Sequence, residues 1–390
     1  VLLGDERRLA TVRRVAAGPL SAGLPLVELG PELYERVTAP AAADLPAVPR
    51  PREDDPAMLL FTSGTTGRSK AVVHSHRGII GFVDCNRFNA LLRAGAMPTA
   101  APPPARVLVS PPLFHLSALY GALFMFTVSG GLLRILPGRF DEERTMRTIE
   151  SERITVWLSI GSAAPRVAAH PARPRYDLSS LASVVVGGAP MSPAVRRQLR
   201  DAFPSAAAGF RMGYSSSEAG SIVASIGGAD FVGAPESSGP VQDGVQIAIR
   251  DEAGNDLPPG EEGFIHVRSP YIMLGYWNDP QATDAVIGPG RWLLTGDVGR
   301  VEDGWLYVNS RARDIIFVSA ENVYPSEVEY RLEAHPAVVE SAVVGVDDPL
   351  TGQAVMAFVV VREGADVGEQ DLADWCRGGL PPYKVPTVWR

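Results

Sequence analysis

Cysteine is nearly absent from this sequence: Cys85 and Cys376 are the only two among 390 residues. So few thiols exclude a disulfide framework and any metal centre built on cysteine, and they suit a reducing, cytoplasmic setting. Positive charge is in short supply as well. Lys and Arg number 36 against 44 Asp and Glu, a net charge of −8, which leaves no basic surplus to meet nucleic-acid phosphates. No segment recurs with the period of a solenoid or propeller. Charge is missing altogether from Val107 to Leu133, a length that could span a bilayer. Pro111-Pro112 and Gly130-Gly131 interrupt that run and His115 lies inside it, so it reads as buried core and no transmembrane segment is expected. The opening "VLLGDERRLATVRRV" is charged throughout and is no signal peptide. It reads as a strand leading into an amphipathic helix, and a chain that begins in mid-strand at Val1 is expected to be a fragment.

What is present points to a globular enzyme. Apolar residues make up 46% and charged ones 21%, enough for a sizeable core. Residues 39–56 are rich in Ala and Pro and read as an exposed connector, and residues 95–105 as a second loop. Between and after these loops apolar strands ("AMLLFT", "RVLVS", "ITVWLSI", "LASVVVGG") alternate with polar helices, "DEERTMRTIESER" and "SPAVRRQLRDAF", the latter with Ser192 as N-cap. This is an α/β pattern, in which ligands bind at the loops after the strands. Beyond about residue 230 apolar and polar residues alternate one by one between Gly-Asn and Pro-Pro-Gly turns, which marks antiparallel strands. The last eighty residues read as a compact α+β unit, with a helix opening at Pro325. The boundary is expected near Ser310–Arg313, dividing the chain into 1–310 and 311–390.

The strongest chemical signal is "LLFTSGTTGRSKAVVHSH", residues 59–76. Thr62, Ser63, Thr65 and Thr66 bring hydroxyls, Gly64 and Gly67 let the backbone approach a ligand, and Lys70 adds a positive charge. A loop of this kind after an apolar strand can cradle a polyphosphate. It is not a Walker A loop, whose G-x-x-x-x-G-K-[ST] spacing is absent. Composition alone would also allow a plain surface loop.

"FTSGTTGRSK" resembles the phosphate loop of the adenylate-forming enzymes, the superfamily of acyl-CoA synthetases, carrier-loading adenylation domains and beetle luciferases. Four further segments resemble that family's motifs in the family's order: "PPLFH", "GGAPM" with "GYSSSEAG", "GEEGFIHVRSPYIMLGYWNDPQAT" with "WLLTGD", and "SRARDIIFVSAENVYPSEVE". The likeness runs from about residue 50 to the end and more weakly from residue 1. It implies a large α/β domain of layered sheets with a small distorted β-barrel subdomain, incomplete at its N-terminus, followed by a small mobile α+β domain.

The same resemblance assigns roles. Tyr214 would stack on adenine, as its flat face allows, worth about 1–3 kcal/mol per base. Ser217 would touch the α-phosphate, and Glu218 would hold Mg²⁺, for which a hard oxygen ligand is suited. Gly187, Gly188, Ala189 and Pro190 would form the other face of the adenine slot. Asp297 of "TGD" would accept the ribose hydroxyls, with Arg311 beside it. His115 stands where carrier-loading domains for α-amino acids place Asp. Without an anion there, a buried α-ammonium has no partner, so the acid is expected to lack an α-amino group.

Departures from the family pattern are Ser69, Ala71, Ser215, Ser217, Phe264, Arg313 at the expected hinge, and Ser319-Ala320 where the family carries glycine. If the glycine there needs a positive φ, Ala320 is strained. Family members continue past "YKVP" to a lysine that contacts the reacting carboxylate. This sequence ends at "YKVPTVWR", and Lys384 belongs to the earlier motif, so adenylate formation by this segment is expected to be slow. The expected activity is an ATP- and Mg²⁺-dependent ligation of a fatty or aryl carboxylic acid to coenzyme A through an acyl-adenylate, with Lys70, His115, Glu218 and Arg311 in the reaction. Carrier loading, luciferase-type oxidation and a nucleotide-binding remnant are the alternatives.

Overall fold

The computed structural model describes residues 2–4, 26–28, 50–62, 69–94, 104–188, 191–220, 222–319 and 321–390. Contacts divide the chain into two units, Val1–Pro51 and Arg52–Arg390. In the first, β1 (Leu2–Gly4) pairs in parallel with β2 (Leu26–Glu28), so the expected opening strand is present.

In the second unit, β3 (Pro56–Thr62) and β4 (Lys70–Ser75) pair antiparallel on either side of the phosphate-loop sequence. Helix His76–Ala94 follows directly. Next come β5 (Arg106–Val109), β6 (Leu132–Ile135), β7 (Val156–Leu158), β8 (Ser183–Val186), β9 (Phe210–Ser215) and β10 (Ile222–Gly227), which build one sheet in the order β10-β9-β8-β7-β5-β6. All its neighbours are parallel except β10 on β9. Both faces are covered, as a parallel sheet requires. Leu108, Trp157, Val184 and Met212 face one core, while Val107, Val109 and Leu158 face the other with Ala118 and Ala122. The period of two along β5 separates Leu108 from its neighbours.

The connecting helices form where their caps say they should. Asp141 accepts from Arg144 N at 2.7 Å and starts Glu142–Ser151. Ser192 accepts from Val195 N at 3.4 Å and starts Pro193–Ala202. The uncharged 107–133 run becomes most of β5, a broken helical segment over 116–128 with a π-helical turn at Leu119–Phe124, and the start of β6. Among the described residues no helix is long and apolar enough to cross a membrane.

The change of texture after residue 230 is an antiparallel sheet. Its strands are β11 (Gly239–Pro240), β12 (Gln246–Arg250) and β13 (Gly263–Arg268), then, after β14 (Gly275–Tyr276) has joined β4 instead, β15 (Ile287–Gly288), β16 (Trp292–Glu302) and β17 (Trp305–Arg311). The order is β11-β17-β16-β13-β12, with β15 on β16. Where a distorted barrel was expected, the edge strands β11 and β12 are not bonded to each other among the described residues.

The final sheet contains β18 (Ile316–Val318), β19 (Glu321–Val323), β20 (Val338–Asp348), β21 (Gly352–Val361) and β22 (Val388–Trp389). With helices Pro325–Glu333 and Glu369–Arg377 it encloses its own core of Val328, Leu332, Val343, Val355, Leu372 and Trp389, among others. The helix opening at Pro325 is as expected. The chain is thus a mixed α/β protein with a smaller C-terminal domain.

Candidate active site

The parallel strands deliver their loops to one edge of the sheet. β5 ends before Pro111–His115, β8 before Gly187-Gly188, and β9 runs into Ser216, Ser217 and Glu218. The C-terminal edge of an open α/β sheet is where ligands bind, because loops there fan out over a crevice.

Tyr214, near the end of β9, donates its hydroxyl to Asp297 Oδ2 at 2.5 Å. Asp297 is buried, at 5% exposure, and comes from β16. Its own N–H bonds Thr295 Oγ1 at 3.2 Å, and Thr295 donates to Ile265 O at 2.9 Å, with Gly296 between them at φ +79°. That positive φ favours glycine and turns the Asp297 carboxylate toward Tyr214. Arg311 is the cross-strand partner of Asp297 on β17, with Nε 3.5 Å from Oδ1. Burial lifts the Asp297 carboxyl above its ordinary value, while Tyr214 and Arg311 pull it back. Burial and the neighbouring carboxylate push the Tyr214 hydroxyl up, so it remains a donor at neutral pH.

A second cluster surrounds Glu218. Tyr276 donates its hydroxyl to Glu218 Oε1 at 2.9 Å, and Met273 N bonds the Glu218 carbonyl at 2.9 Å. Residues 273–277 run beside β4, with Tyr276 opposite Val72. Lys70, at the start of β4, holds its Nζ 4.8 Å from the centre of the Tyr276 ring. One tyrosine therefore links the phosphate-loop lysine to the acidic residue. Glu218 also helps to raise the Asp297 carboxyl electrostatically.

Of the phosphate-loop residues, Thr62 and Lys70 close β3 and open β4. Ser63, Gly64, Thr65, Thr66 and Gly67 lie outside the described residues, as do Ala189, Pro190 and Ala320. A Cβ on Gly187 would meet nothing within 4 Å, whereas Gly188 has φ +87° and a Cβ there would come within 2.8 Å of Ile160. The first leaves open space where backbone can approach a ligand, and the second is held by the turn itself. Ser217 offers its carbonyl to His74. His115 is exposed, with its ring 4.6 Å from that of Phe114. Lys384 is engaged elsewhere, 2.6 Å from Glu327. Ser319, next to Ala320, has a positive φ of +51°; the strain expected at Ala320 itself falls outside the described residues.

Among the described residues no group of three or more His, Cys, Asp or Glu could hold a metal. A magnesium ion does not need one, since it takes one or two carboxylates and fills its shell with phosphate and water. A single Glu218 fits that pattern. Sequence reasoning missed Tyr276 and His74. Both lie inside quoted motifs, yet Tyr276 is 58 residues from Glu218 and no spacing rule connects them. His74 is 1% exposed, and burial pushes its imidazole down to about 4.

A family model described as AMP-binding enzyme matches residues 5–277, and one described as AMP-binding enzyme C-terminal domain matches 327–389. The feruloyl-CoA synthase of Amycolatopsis sp. is 35% identical over 387 residues, 99% of this chain and 74% of that protein. The long-chain-fatty-acid–CoA ligase of Bacillus subtilis is 34% identical over 344 residues, 86% of this chain and 58% of that protein. Two solved structures share the fold over at least 99% of this chain and 74% of theirs: amide bond synthetase McbA of Marinactinospora thermotolerans (TM-score 0.82, 34% identity) and ATP-bound MatB of Rhodopseudomonas palustris (TM-score 0.84, 27% identity).

Proposed function

We propose, for a chain that belongs to the AMP-binding enzyme family, that its acid is an aryl or fatty carboxylate without an α-amino group. The protein is an AMP-forming acid–CoA ligase that uses ATP and coenzyme A. The observation that supports the choice of acid is that residue 115, after β5, is His and not a carboxylate that could pair an ammonium. Relatives named for feruloyl and long-chain fatty acids fit the same reading.

In the first half-reaction the acid carboxylate attacks the α-phosphate and pyrophosphate leaves. In the second the coenzyme A thiolate takes the acyl group and AMP leaves. This chain's residues work by positioning and charge neutralisation, as in phosphoryl transfer generally. Asp297, held by Tyr214 and Arg311, accepts the ribose hydroxyls. Tyr214 presents its ring to adenine from one side, and Gly187 and Gly188 would form the other. Residues 62–70 hold the phosphates, with Lys70 beside Tyr276, and Ser217 contacts the α-phosphate. Glu218 would hold Mg²⁺, which when bound neutralises phosphate charge.

Residues 311–390 act as a small domain that turns about Arg313 between the steps, against a large part spanning 1–310. The separate core of residues 316–389 and the separate family match support that division. The two free cysteines support a cytoplasmic setting.

The test is acid-dependent exchange of pyrophosphate into ATP, followed by detection of the thioester, with aryl, fatty and α-amino acids compared. Exchange, slow in this segment, and thioester are expected with the first two classes. Best turnover of amino acids would overturn the choice of acid.

A further inference from the structure

Strand β4 carries more of the site than Lys70. Side chains alternate between the two faces of a strand, so Lys70, Val72 and His74 share one face of Lys70–Ser75. That face is turned to the segment that holds Ser217 and Glu218. Lys70 Nζ stands 4.8 Å from the centre of the Tyr276 ring, whose hydroxyl bonds Glu218. Val72 pairs with Tyr276 and is buried in the same core as Ala219. His74 lies against the turn itself. It bonds the Ser217 carbonyl, and a Cβ placed on Gly220 would come within 3.2 Å of its Cε1.

The imidazole is held in one orientation. It is 1% exposed, and Tyr120 packs on it edge to face with ring centroids 5.6 Å apart, which restrains its plane. Nε2 is sealed from solvent without a hydrogen-bond partner, so the bond to Ser217 comes from Nδ1, which carries the hydrogen. An unmet buried acceptor is destabilising. A leucine would fill the same space without one, so filling space does not call for histidine here. What leucine lacks is the N–H at Nδ1. The turn closes without that donor, because Gly220 N also bonds the Ser217 carbonyl at 3.2 Å and Ala219 N bonds Ser216 Oγ at 3.0 Å. Those bonds are internal to the turn. Met273 N and the Tyr276 hydroxyl, each at 2.9 Å, tie Glu218 to the segment beside β4. His74 ties the Ser217 end to β4 itself, on the face that bears Lys70.

We infer that His74 is a positioning residue: through the Ser217 carbonyl it sets where the Ser217 hydroxyl meets the α-phosphate, in register with Lys70 on the same strand face. This deepens the ligase reading and rests on it. The test is equilibrium titration of AMP and of adenosine into the full chain without magnesium. The two differ by the α-phosphate alone, and adenosine reports on the slot made by Tyr214 and Asp297. His74→Leu should weaken AMP about tenfold, the loss of one well-aligned hydrogen bond to a charged group, and leave adenosine unchanged. His74→Asn, whose amide nitrogen falls close to the place of Nδ1, should bind AMP as the native protein does. In a Ser217→Ala background His74→Leu should cost nothing further, because residues that act through one contact are not additive. Melting curves confirm that each variant is folded, and His74→Met, which also lacks the donor, replaces leucine should that variant not fold. Unchanged AMP affinity, equal losses for AMP and adenosine, an asparagine variant no better than leucine, or a full further loss in the Ser217→Ala background would each overturn the inference. A native protein that binds AMP no better than adenosine removes the phosphate-site reading and the inference with it. A native preference for AMP that His74→Leu leaves intact removes only the inference.

Discussion

The Tyr214 hydroxyl stands 2.5 Å from Asp297 Oδ2, although 83 residues separate the two in the chain. The bond joins the end of the parallel sheet to the antiparallel one and fixes a buried carboxylate, the one proposed to accept the ribose hydroxyls. Tyr214→Phe keeps the ring for stacking and removes only the donor. ATP affinity should fall by about tenfold, the size of one hydrogen bond to a charged group. The Asp297 carboxyl, already raised by burial, should rise further. Asp297 must be ionised to accept hydroxyls, so ATP binding in the variant should fail at a higher pH than in the native protein as pH is lowered. Calorimetric titrations from about pH 5 to pH 8 check this.

Lys70→Ala should weaken ATP binding by about 1.5–3 kcal/mol, the loss of a charge-assisted contact. Unchanged affinity would remove the phosphate-loop role.

Tyr276→Phe leaves Lys70 its aromatic neighbour and frees Glu218 from the 2.9 Å bond. The expected result is a several-fold rise in the Mg²⁺ concentration needed for half-maximal pyrophosphate exchange, with melting temperature little changed. Unaltered Mg²⁺ dependence would show that Tyr276 does not position Glu218.

Glycine substitutions should separate space from conformation. Gly220 has φ +67° and a Cβ there would lie 1.9 Å from the Tyr271 carbonyl oxygen. Gly220→Ala should destabilise by about 3 kcal/mol or more, since strain and overlap add. Gly130, with φ +71° and nothing within 4 Å, should lose only about 1 kcal/mol on the same change. Urea unfolding of both variants gives the comparison.

Stability should depend on pH through His74. Its folded value of about 4 lies below the 6.5 of an ordinary histidine, so the unfolded chain binds the proton more readily. Stability from the neutral ring is complete above 6.5 and is lost as pH falls toward 4, by about 3 kcal/mol in all. In His74→Gln that part of the pH dependence should vanish. An identical slope in both proteins between those limits would show that His74 is not buried in solution.

Much of this protein is legible in its sequence. The α/β alternation, the N-cap at Ser192, the helix opening at Pro325 and the strands before each site loop all follow from local periodicity and capping. Such rules act over a few residues, and those stretches fold in the conformations their neighbours dictate. The proposed phosphate-binding role of residues 62–70 rests on equally local evidence, since hydroxyls, glycines and a lysine are close together in the sequence. Only the tertiary structure decided that Tyr276 would hold Glu218, that Tyr214 would hold Asp297, and that His74 and Tyr120 would be buried against each other. Each of those pairs depends on β14 leaving its neighbours to join β4, or on which strands lie side by side. Strand order reflects how whole faces pack, and that information is spread over the chain rather than written at the residues it brings together.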